Sequence, residues 1–305
     1  MNIVIIGQGA IGLLWYYTLN QQPENNVTLQ CSIHVKNLPD KMSFTDIAQK
    51  KHQQNIHLAN NDDFQQADLV IYCLKAYAID KANSQYHSIT NPQAIIIYAH
   101  NGLLDLNKLS EPAHNIQPKI AMLMTHGSLK TNDFEIKHTG EGHCDIGLLH
   151  GDISQTHKGK LIKVLNTALP KVTWQNNIKE KQWLKLAINC VINPLTAIHN
   201  CENGSIASEQ FQQDIETILQ ELVVIAAKND LNLSIECLTK DVLKVAENTA
   251  RNCSSMRSDV LAKRKTEIDH INGFIHQQGI KHHIATPCNT ELWQQIKKLE
   301  TDYSS

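Results

Sequence analysis

At 305 residues the chain is about twice as long as a typical domain, so we expect two domains, each with a core of its own. With 42% apolar and 19% charged residues its composition is that of an ordinary globular protein, and a formal net charge of −2 provides no basic field for nucleic acid or an anionic membrane. These values exclude a disordered or strongly basic chain and favour a small-molecule partner.

The sequence lacks signals for export, membrane insertion and metal binding. No segment approaches the roughly 20 consecutive apolar residues needed to cross a bilayer, and the first residues have no basic stretch typical of a signal peptide. The 8 cysteines include no C-x-x-C pair, and the 16 histidines show no zinc-binding spacing. We therefore predict a cytoplasmic protein, a monomer or homodimer, with reduced thiols, no metal, and no membrane or nucleic-acid partner.

The N-terminal half alternates short runs of β-branched apolar residues with polar or helical stretches. The predicted strands cover residues 3–6, 27–33, 68–74, 94–98 and 120–124. Runs of this kind are typical of buried parallel strands that crossover helices connect. We therefore predict an α/β fold, with an N-terminal Rossmann-type doubly wound sheet.

Beyond about residue 174 the apolar residues recur with helical spacing. The predicted helices cover residues 179–195, 209–228, 239–248 and 255–276. A polar, turn-prone segment at 174–177 follows the last apolar run of the first half, so we place the domain boundary there. The prediction is a Rossmann-type domain of residues 1–175 followed by an all-helical C-terminal domain of residues 176–305.

The first predicted strand leads directly into the glycine-rich motif Gly7-Gln8-Gly9-Ala10-Ile11-Gly12, which a helix-like segment follows. In a strand–turn–helix unit this G-x-G-x-x-G spacing is the fingerprint of dinucleotide binding. Gly7 permits the tight turn, Gly9 lets the backbone approach a pyrophosphate, and Gly12 lets helix and strand pack closely. We predict that residues 7–12 bind the phosphates of a dinucleotide.

The end of the second predicted strand favours NADP over NAD. An NAD site normally carries an Asp or Glu there to bind the ribose 2′-hydroxyl, whereas residues 29–36 contain no acid. Ser32, His34 and Lys36 are all candidates for the 2′-phosphate contact, and the sequence does not distinguish between them. A lysine or histidine after a strand is also common in an exposed loop without any ligand.

The predicted helix at 179–195 is almost wholly apolar except for Lys185, Asn189 and Asn193, which recur at steps of four residues. This spacing puts three polar side chains on one stripe of the helix. Apolar surroundings lower the pKa of a lysine, which suits a proton donor at neutral pH. Pro194 is expected to disturb the helix at Asn193 and to leave polar groups for a ligand. The alternative is that Lys185 extends to solvent while both asparagines bond within a helix interface.

Several segments together resemble the ketopantoate reductase family. They are residues 7–12, Leu74-Lys75-Ala76, His100-Asn101-Gly102, the helical segment 189–197, and the stretch from Asn252-Cys253-Ser254-Ser255-Met256 to residues 266–273. The most specific are Asn189-Cys190-Val191-Ile192-Asn193-Pro194-Leu195-Thr196-Ala197 and Thr266-Glu267-Ile268-Asp269. The match runs from the first strand to the last long helix that the pattern predicts.

This resemblance implies reduction of 2-dehydropantoate to (R)-pantoate, a step toward pantothenate and coenzyme A, by hydride transfer from NADPH to the C2 carbonyl. Lys185 matches the family's catalytic lysine, which contacts substrate and gives a proton to the developing alkoxide. The other substrate-binding positions that it implies are Asn101, Asn189, Asn193, Asn203 and Ser255. The cofactor-binding positions that it implies are Gly7, Gln8, Gly9, Ala10, Ile11, Gly12, Lys75, Asn101, Ser128 and Glu267.

Glu267 is expected to hydrogen-bond substrate or the nicotinamide ribose, and Asp259 to orient Ser255 or Lys185. Two positions depart from the family pattern: Ser128 replaces an alanine, and no clear arginine follows the second strand to bind the 2′-phosphate.

Two other functions stay open, a reductase of another small 2-keto acid and a non-catalytic NADPH-binding sensor. A sensor would retain the glycine motif without a proton donor, whereas this sequence carries both.

Overall fold

The computed structural model describes residues 1–32, 35, 38–103, 109 and 117–304 of a chain that forms two compact units. Unit 1 comprises Met1–His100 and Asp105–Ile178, and unit 2 comprises Asn101–Leu104 and Lys179–Ser305. The main division therefore falls after Ile178, and the short segment at 101–104 belongs with the second unit, where no sequence pattern predicts it.

Unit 1 contains two β-sheets with flanking helices. Its strands are β1 (Asn2–Ile6), β2 (Asn26–Gln30), β3 (Lys41–Thr45), β4 (Lys51–Asn55), β5 (Leu69–Tyr72), β6 (Ile95–Tyr98), β7 (Lys119–Met124), β8 (Gly127–Asn132), β9 (Glu135–Gly140), β10 (Cys144–His150) and β11 (Val172–Trp174). Its helices are α1 (Ala10–Asn20), α2 (Asn61–Gln65), α3 (Ala76–Tyr86) and α4 (Gln155–Ala168), with a 3-10 turn at His87–Ile89.

The larger sheet has the order β11-β10-β7-β6-β5-β1-β2. Neighbouring strands from β2 to β7 run parallel, and β10 is antiparallel to β7. The central strands β5 and β6 are apolar along their whole length and every one of their residues is buried, as is usual where both faces of a parallel sheet are covered. The predicted Rossmann-type sheet is confirmed. The carboxyl ends of β1 and β5 lie at the point where the strand order reverses, the usual ligand position in such a sheet.

The smaller sheet, with the order β4-β3-β9-β8, has no counterpart among the predicted strands. β3 and β9 have buried residues only at alternate positions instead of apolar runs, and neither β4, Lys-His-Gln-Gln-Asn, nor β8 has a fully buried residue. Phe44 of β3 is buried and stacks on Tyr17 of α1 with ring centroids 3.9 Å apart, which holds the sheet against the first helix.

Unit 2 is helical, as predicted. Its helices are α5 (Ile178–Ile198, whose first residue closes unit 1), α6 (Gln212–Ala227), α7 (Ile235–Asn248), α8 (Ser255–Leu261), α9 (Asn272–His282) and α10 (Pro287–Thr301). Short 3-10 turns cover Asn203–Ala207, Glu209–Phe211, Ile268–His270 and Asp302–Ser304. Trp183, Leu186 and Cys190 of α5 are at most 2% exposed and belong to one apolar core with residues of the other helices. No helix in the described part of the chain is long and apolar enough to cross a membrane.

The helix predicted at 255–276 is not continuous, because α8 ends at Leu261 and α9 begins only at Asn272. Lys263 adopts a left-handed conformation (φ 52°), which ends the helix. The Thr266 amide and hydroxyl then both donate to Glu300 of α10 at 2.7 Å. The Thr266 backbone amide is therefore satisfied by a neighbouring helix instead of by a helical hydrogen bond.

The prediction that Pro194 disturbs the helix at Asn193 is also wrong, since α5 continues through Pro194 to Ile198. Proline has no N–H for the carbonyl four residues earlier, which here is that of Cys190. The side-chain amide of Asn272 donates to this carbonyl instead, at 3.0 Å. A tertiary hydrogen bond thus replaces the missing helical one, and the helix does not end.

Candidate functional site

The glycine motif forms a tight turn between β1 and α1. The Gly7 amide donates to the Gln30 carbonyl of β2 at 2.9 Å, and its φ of +115° is readily available only to glycine. A Cβ on Gly7 would overlap the Cys73 carbonyl, and a Cβ on Gly12 would overlap the Gly7 carbonyl. Both glycines are therefore required by the close packing of the turn on β5 and on itself.

Gly9 differs from these two glycines, because a Cβ there would meet no atom within 4 Å. It is the N-cap of α1, and in the described part of the chain no side chain caps this helix and no acid lies in its first turn. The open space faces the positive end of the helix dipole, where backbone N–H groups bind anions. The turn thus has the shape and polarity that a pyrophosphate needs.

Three further predicted cofactor residues lie near the same sheet edge. Gln8 accepts a hydrogen bond from the Ser32 amide just beyond β2, at 3.0 Å. Ser128 of β8 donates to the Ala10 carbonyl in the first turn of α1, at 3.1 Å. Lys75 is the half-buried N-cap of α3, directly after β5. The candidates His34 and Lys36 lie outside the described residues.

The polar stripe of α5 lies among fully buried apolar residues of the same helix. Lys185 and Asn189 are half-buried, and Asn193 is 6% exposed. The Asn189 Nδ2 atom is buried and has no hydrogen-bond partner among the described residues. An unsatisfied buried donor costs free energy unless a ligand or water accepts from it. This atom is therefore a candidate contact for a polar ligand, one helical turn from the Lys185 position.

The start of α8 is tied to the end of α5. Thr196 of α5 donates to Ser254 at 2.7 Å, and Ser254 caps α8 by accepting from the Arg257 amide at 3.1 Å. Ser255, the predicted substrate contact, is the exposed first residue of α8. Sequence patterns did not reveal that Thr196 and Ser254 connect these two helices.

Asn203 begins a 3-10 turn and is 8% exposed. Its amide nitrogen Nδ2 donates to Thr249 at 3.0 Å, and its backbone amide donates to the Asn252 carbonyl at 3.1 Å. Its Oδ1 atom is buried and has no partner in the described part of the chain. Like Asn189, this residue presents an unsatisfied polar atom.

Asn101 and Glu267, which are 166 residues apart in sequence, are hydrogen-bonded in unit 2. The Asn101 Nδ2 atom donates to Glu267 Oε2 at 3.3 Å, and Glu267 is only 4% exposed. The carboxylate is therefore a buried group beside a neutral amide. The structure brings these two predicted site residues together, whereas Asp259 forms an ion pair with Arg264 at 3.1 Å.

No cluster of three or more His, Cys, Asp or Glu side chains suitable for a metal ion occurs in the described residues.

Two residues near the site were not identified from sequence. His270 follows Glu267 by one turn and accepts from the Leu103 amide at 3.3 Å, and Asn272 supports α5. Both lie in the quoted segment 266–273, so the resemblance could have indicated the region but not these contacts.

Two family models match the chain. "Ketopantoate reductase PanE/ApbA" matches residues 3–151, and "Ketopantoate reductase PanE/ApbA C terminal" matches residues 177–300. The 2-dehydropantoate 2-reductase of Vibrio cholerae is 35% identical over 314 residues, which cover 100% of this chain and 99% of the relative. The 2-dehydropantoate 2-reductase of Shigella flexneri is 34% identical over 307 residues, which cover 99% of this chain and 96% of the relative.

Solved structures of related fold extend the comparison. A D-mandelate dehydrogenase in ternary complex with NADH and anilino(oxo)acetate has a TM-score of 0.89 and 22% identity, with 100% of both chains covered. At this identity the likeness concerns the fold alone, whereas the family models and the relatives above 30% identity span both units. The chain therefore belongs to the ketopantoate reductase family of oxidoreductases.

Proposed function

We propose that the protein reduces 2-dehydropantoate to (R)-pantoate with NADPH, in the biosynthesis of pantothenate and coenzyme A. The observation that carries the proposal is the polar stripe of α5. Lys185 is half-buried there, and one turn later the buried Nδ2 atom of Asn189 has no hydrogen-bond partner among the described residues. An amine and a free amide donor on an otherwise apolar helix suit a small anionic substrate with a carbonyl to be protonated. The proposal includes a cytoplasmic location and a monomer or homodimer.

The cofactor is proposed to bind at the glycine turn of unit 1. Residues 7–12 would hold the pyrophosphate, because Gly9 leaves open space at the uncapped start of α1. Lys75 and Ser128 would contact the cofactor beside this turn. The bound nicotinamide supplies a hydride. NADPH is proposed over NADH because no acid follows β2 to bind the ribose 2′-hydroxyl.

The chain's own part in the reaction is to orient the keto acid and to deliver a proton. Lys185 Nζ would donate the proton to the oxygen that develops negative charge at C2. Asn189, Asn193, Asn203 and Ser255 would hold the carboxylate and hydroxyl of the substrate. Neutral donors suit this role because they orient an anion without neutralising the lysine.

Glu267 and Asn101 are proposed to act as a pair. The carboxylate would accept from a substrate hydroxyl or the nicotinamide ribose and would favour the charged form of Lys185 by proximity. The Asn101 amide, which donates to this carboxylate at 3.3 Å, would fix its direction. Asp259 would orient Ser255 or Lys185.

Two other functions differ in what they require of α5. A reductase of another small 2-keto acid would use the same lysine, and a shared fold does not fix the substrate. A sensor that only binds NADPH needs no proton donor, so Lys185 and the asparagine stripe disfavour it.

The test is the absorbance of reduced nicotinamide while the purified protein is mixed with 2-dehydropantoate and either NADPH or NADH. Pyruvate and 2-ketoisovalerate serve as controls for substrate choice. Oxidation that requires 2-dehydropantoate and is faster with NADPH supports the proposal. Faster turnover of another keto acid favours the second candidate, and cofactor binding without any turnover favours the sensor.

A further inference from the structure

The segment that carries Glu267 is attached to α10 at the residue before it. The Thr266 amide and hydroxyl both donate to Glu300 Oε1 at 2.7 Å, and the Thr266 hydroxyl oxygen accepts from the Ile268 amide at 3.2 Å. Thr266 is 1% exposed and the Glu300 side chain 10% exposed. Hydrogen bonds to a carboxylate are short and strong, so Glu300 fixes the backbone immediately before Glu267.

The same segment is attached to α10 again two residues after Glu267. Asp269 Oδ1 accepts from Trp293 Nε1 at 2.8 Å, and Asp269 Oδ2 accepts from Lys297 Nζ at 3.3 Å. The Trp293 ring is stacked on the His276 ring, with centroids 4.8 Å apart. The indole donor is therefore itself held in place, and it fixes the direction of the Asp269 carboxylate.

Lys297 joins these two attachments. Its Nζ atom donates to Glu300 Oε2 at 2.9 Å and to Asp269 Oδ2 at 3.3 Å. Burial alone would lower the pKa of Lys297, but the two carboxylates raise it above its usual value, so the amine is charged at neutral pH. Thr266, Asp269, Trp293, Lys297 and Glu300 thus form one network, which we call the α10 clamp.

Glu267 lies between the two ends of the clamp. Its carboxylate is buried and accepts from Asn101 Nδ2 at 3.3 Å, and its carbonyl accepts from the His270 amide at 2.9 Å. A single 3-10 turn has few hydrogen bonds of its own, with poorer geometry than those of an α-helix. The direction of the Glu267 carboxylate therefore depends on how the residues on both sides of it are held.

We infer that Glu300 is a positioning residue, which through the α10 clamp holds segment 266–269 so that the Glu267 carboxylate stays in contact with Asn101 and faces the ligand. Shielded ion pairs add little net stability compared with apolar residues of similar volume, so the main contribution of this one is the direction that it imposes. The effect on catalysis rests on the proposed function, whereas the effect on the Glu267–Asn101 hydrogen bond does not.

Three substitutions test this role by removing the clamp in steps. Glu300→Leu removes both bonds to Thr266, Thr266→Val removes only the hydroxyl, and Glu300→Gln keeps a carbonyl oxygen that can accept from Thr266. Glu291→Leu is the matched control, because Glu291 is exposed on the same helix. The measurements are kcat and KM for 2-dehydropantoate, the free energy of unfolding, and the nuclear magnetic resonance signal of the Asn101 side-chain amide, assigned by its absence in Asn101→Asp.

We expect Glu300→Leu to lower kcat/KM about 10- to 100-fold, because a small displacement of a positioned group has an effect of this size. The Asn101 side-chain signal should move, since its hydrogen bond to Glu267 changes. Thr266→Val should act in the same direction but less, and Glu300→Gln should restore most of the activity that Glu300→Leu loses. The control Glu291→Leu should match the wild type in activity and in the Asn101 signal.

The same variants in a Glu267→Gln background separate positioning from a general loss of structure. A residue that acts through the Glu267 carboxylate has little effect once that carboxylate is gone. Glu300→Leu should therefore lower kcat/KM less than about threefold in this background. Its effect on the free energy of unfolding should be similar in both backgrounds, since Thr266 is present in each.

The inference is overturned by wild-type kcat/KM in Glu300→Leu, by equal losses of kcat/KM in the two backgrounds, or by an unmoved Asn101 signal. If Glu300→Leu does not fold, Thr266→Val decides by the same comparisons. If the wild type turns over no keto acid, the proposed function fails on its own. In that case a moved Asn101 signal in Glu300→Leu or Thr266→Val, but not in Glu291→Leu, still supports the positioning role, and any other result overturns it.

Discussion

The side chains of Asn272 and Asn289, neither of which is exposed to solvent, are hydrogen-bonded to each other at 3.0 Å. Asn289 in turn donates to the buried Glu221 of α6 at 2.7 Å, and Asn272 donates to the Cys190 carbonyl that Pro194 leaves without a helical donor. A chain of buried polar groups therefore connects α6, α10 and α9 to α5, the helix of the proposed catalytic lysine. Removal of one member of such a chain leaves its buried partners without a hydrogen bond, which strongly destabilises the fold.

Asn272→Ala should lower the free energy of unfolding by about 2–3 kcal/mol, because it leaves two buried acceptors without a donor. Pro194→Ala restores a helical N–H to the Cys190 carbonyl, so Asn272→Ala should lose about 1 kcal/mol less in that background. Urea denaturation of the four proteins measures this coupling. The exposed Asn248 gives the control substitution Asn248→Ala. Equal losses in both backgrounds would show that Asn272 does not replace the missing helical bond.

Lys185→Ala should lower kcat by about 10²–10⁴, because the developing alkoxide loses its proton donor. The affinity for NADPH should stay close to that of the wild type, since the glycine turn belongs to the other unit. Lys181→Ala, an exposed lysine one turn earlier on α5, controls for the loss of a positive charge on this helix. A folded Lys185→Ala enzyme with near-wild-type turnover would contradict the assigned role.

Gly9→Ala should weaken NADPH binding without changing stability, whereas Gly12→Ala should lower stability. A methyl group on Gly9 enters open space, so the thermal midpoint should not change, but NADPH should bind about tenfold more weakly, equivalent to about 1.4 kcal/mol. A methyl group on Gly12 overlaps the Gly7 carbonyl and should lower the thermal midpoint itself. Fluorescence titration with NADPH and thermal denaturation measure the two effects.

The control for these two substitutions is Gly159→Ala, since a Cβ at this residue inside α4 also meets no atom within 4 Å. It should stabilise the protein by about 0.5–1 kcal/mol and leave NADPH affinity unchanged. Wild-type NADPH affinity in Gly9→Ala would place the pyrophosphate elsewhere.

The stability of the protein should fall as the pH is lowered below about 6.5, the pKa of histidine in an unfolded chain. Burial lowers the pKa of both His126 and His138, whose rings lie 5.7 Å apart and whose buried Nε2 atoms have no partner among the described residues. Between the lowered pKa and 6.5, the unfolded chain binds more protons than the folded chain, which weakens the fold.

Glu141 raises the pKa of both rings and His143 lowers that of His126, so these charges modify the effect without reversing it. His138→Phe should reduce the slope of stability against pH, measured by urea denaturation between about pH 5 and 7. A slope as steep as that of the wild type would mean that other groups cause the pH dependence.

The predictable parts of this protein are those whose pattern is local. The apolar runs of β1, β5 and β6, the glycine motif and the helical period of α5 each lie within a short segment, so each can be recognised without knowing its neighbours. The resemblance to the family rests on the same kind of short segments, and it selected Asn101 and Glu267, which the fold brings together.

The parts that were missed depend on contacts between distant segments. The break after α8 needs a left-handed residue, and Lys263 in a run of basic residues gives no signal of one. The unbroken course of α5 depends on Asn272, 82 residues away from Cys190. The polar strand β4 contains no apolar pattern because it lies at the edge of the smaller sheet, where it pairs with β3 alone.

The smaller sheet also constrains the order of events during synthesis. Its central pairing is parallel and joins Ser43–Thr45 of β3 to Glu135–Lys137 of β9, so the β3–β4 hairpin must wait for a strand made much later. Closing so long a loop is slow, and the waiting hairpin exposes one edge of β3 until then. During synthesis, therefore, unit 1 cannot complete its second sheet while the nascent chain ends before β9, although β1, β2, β5 and β6 of the larger sheet are made earlier.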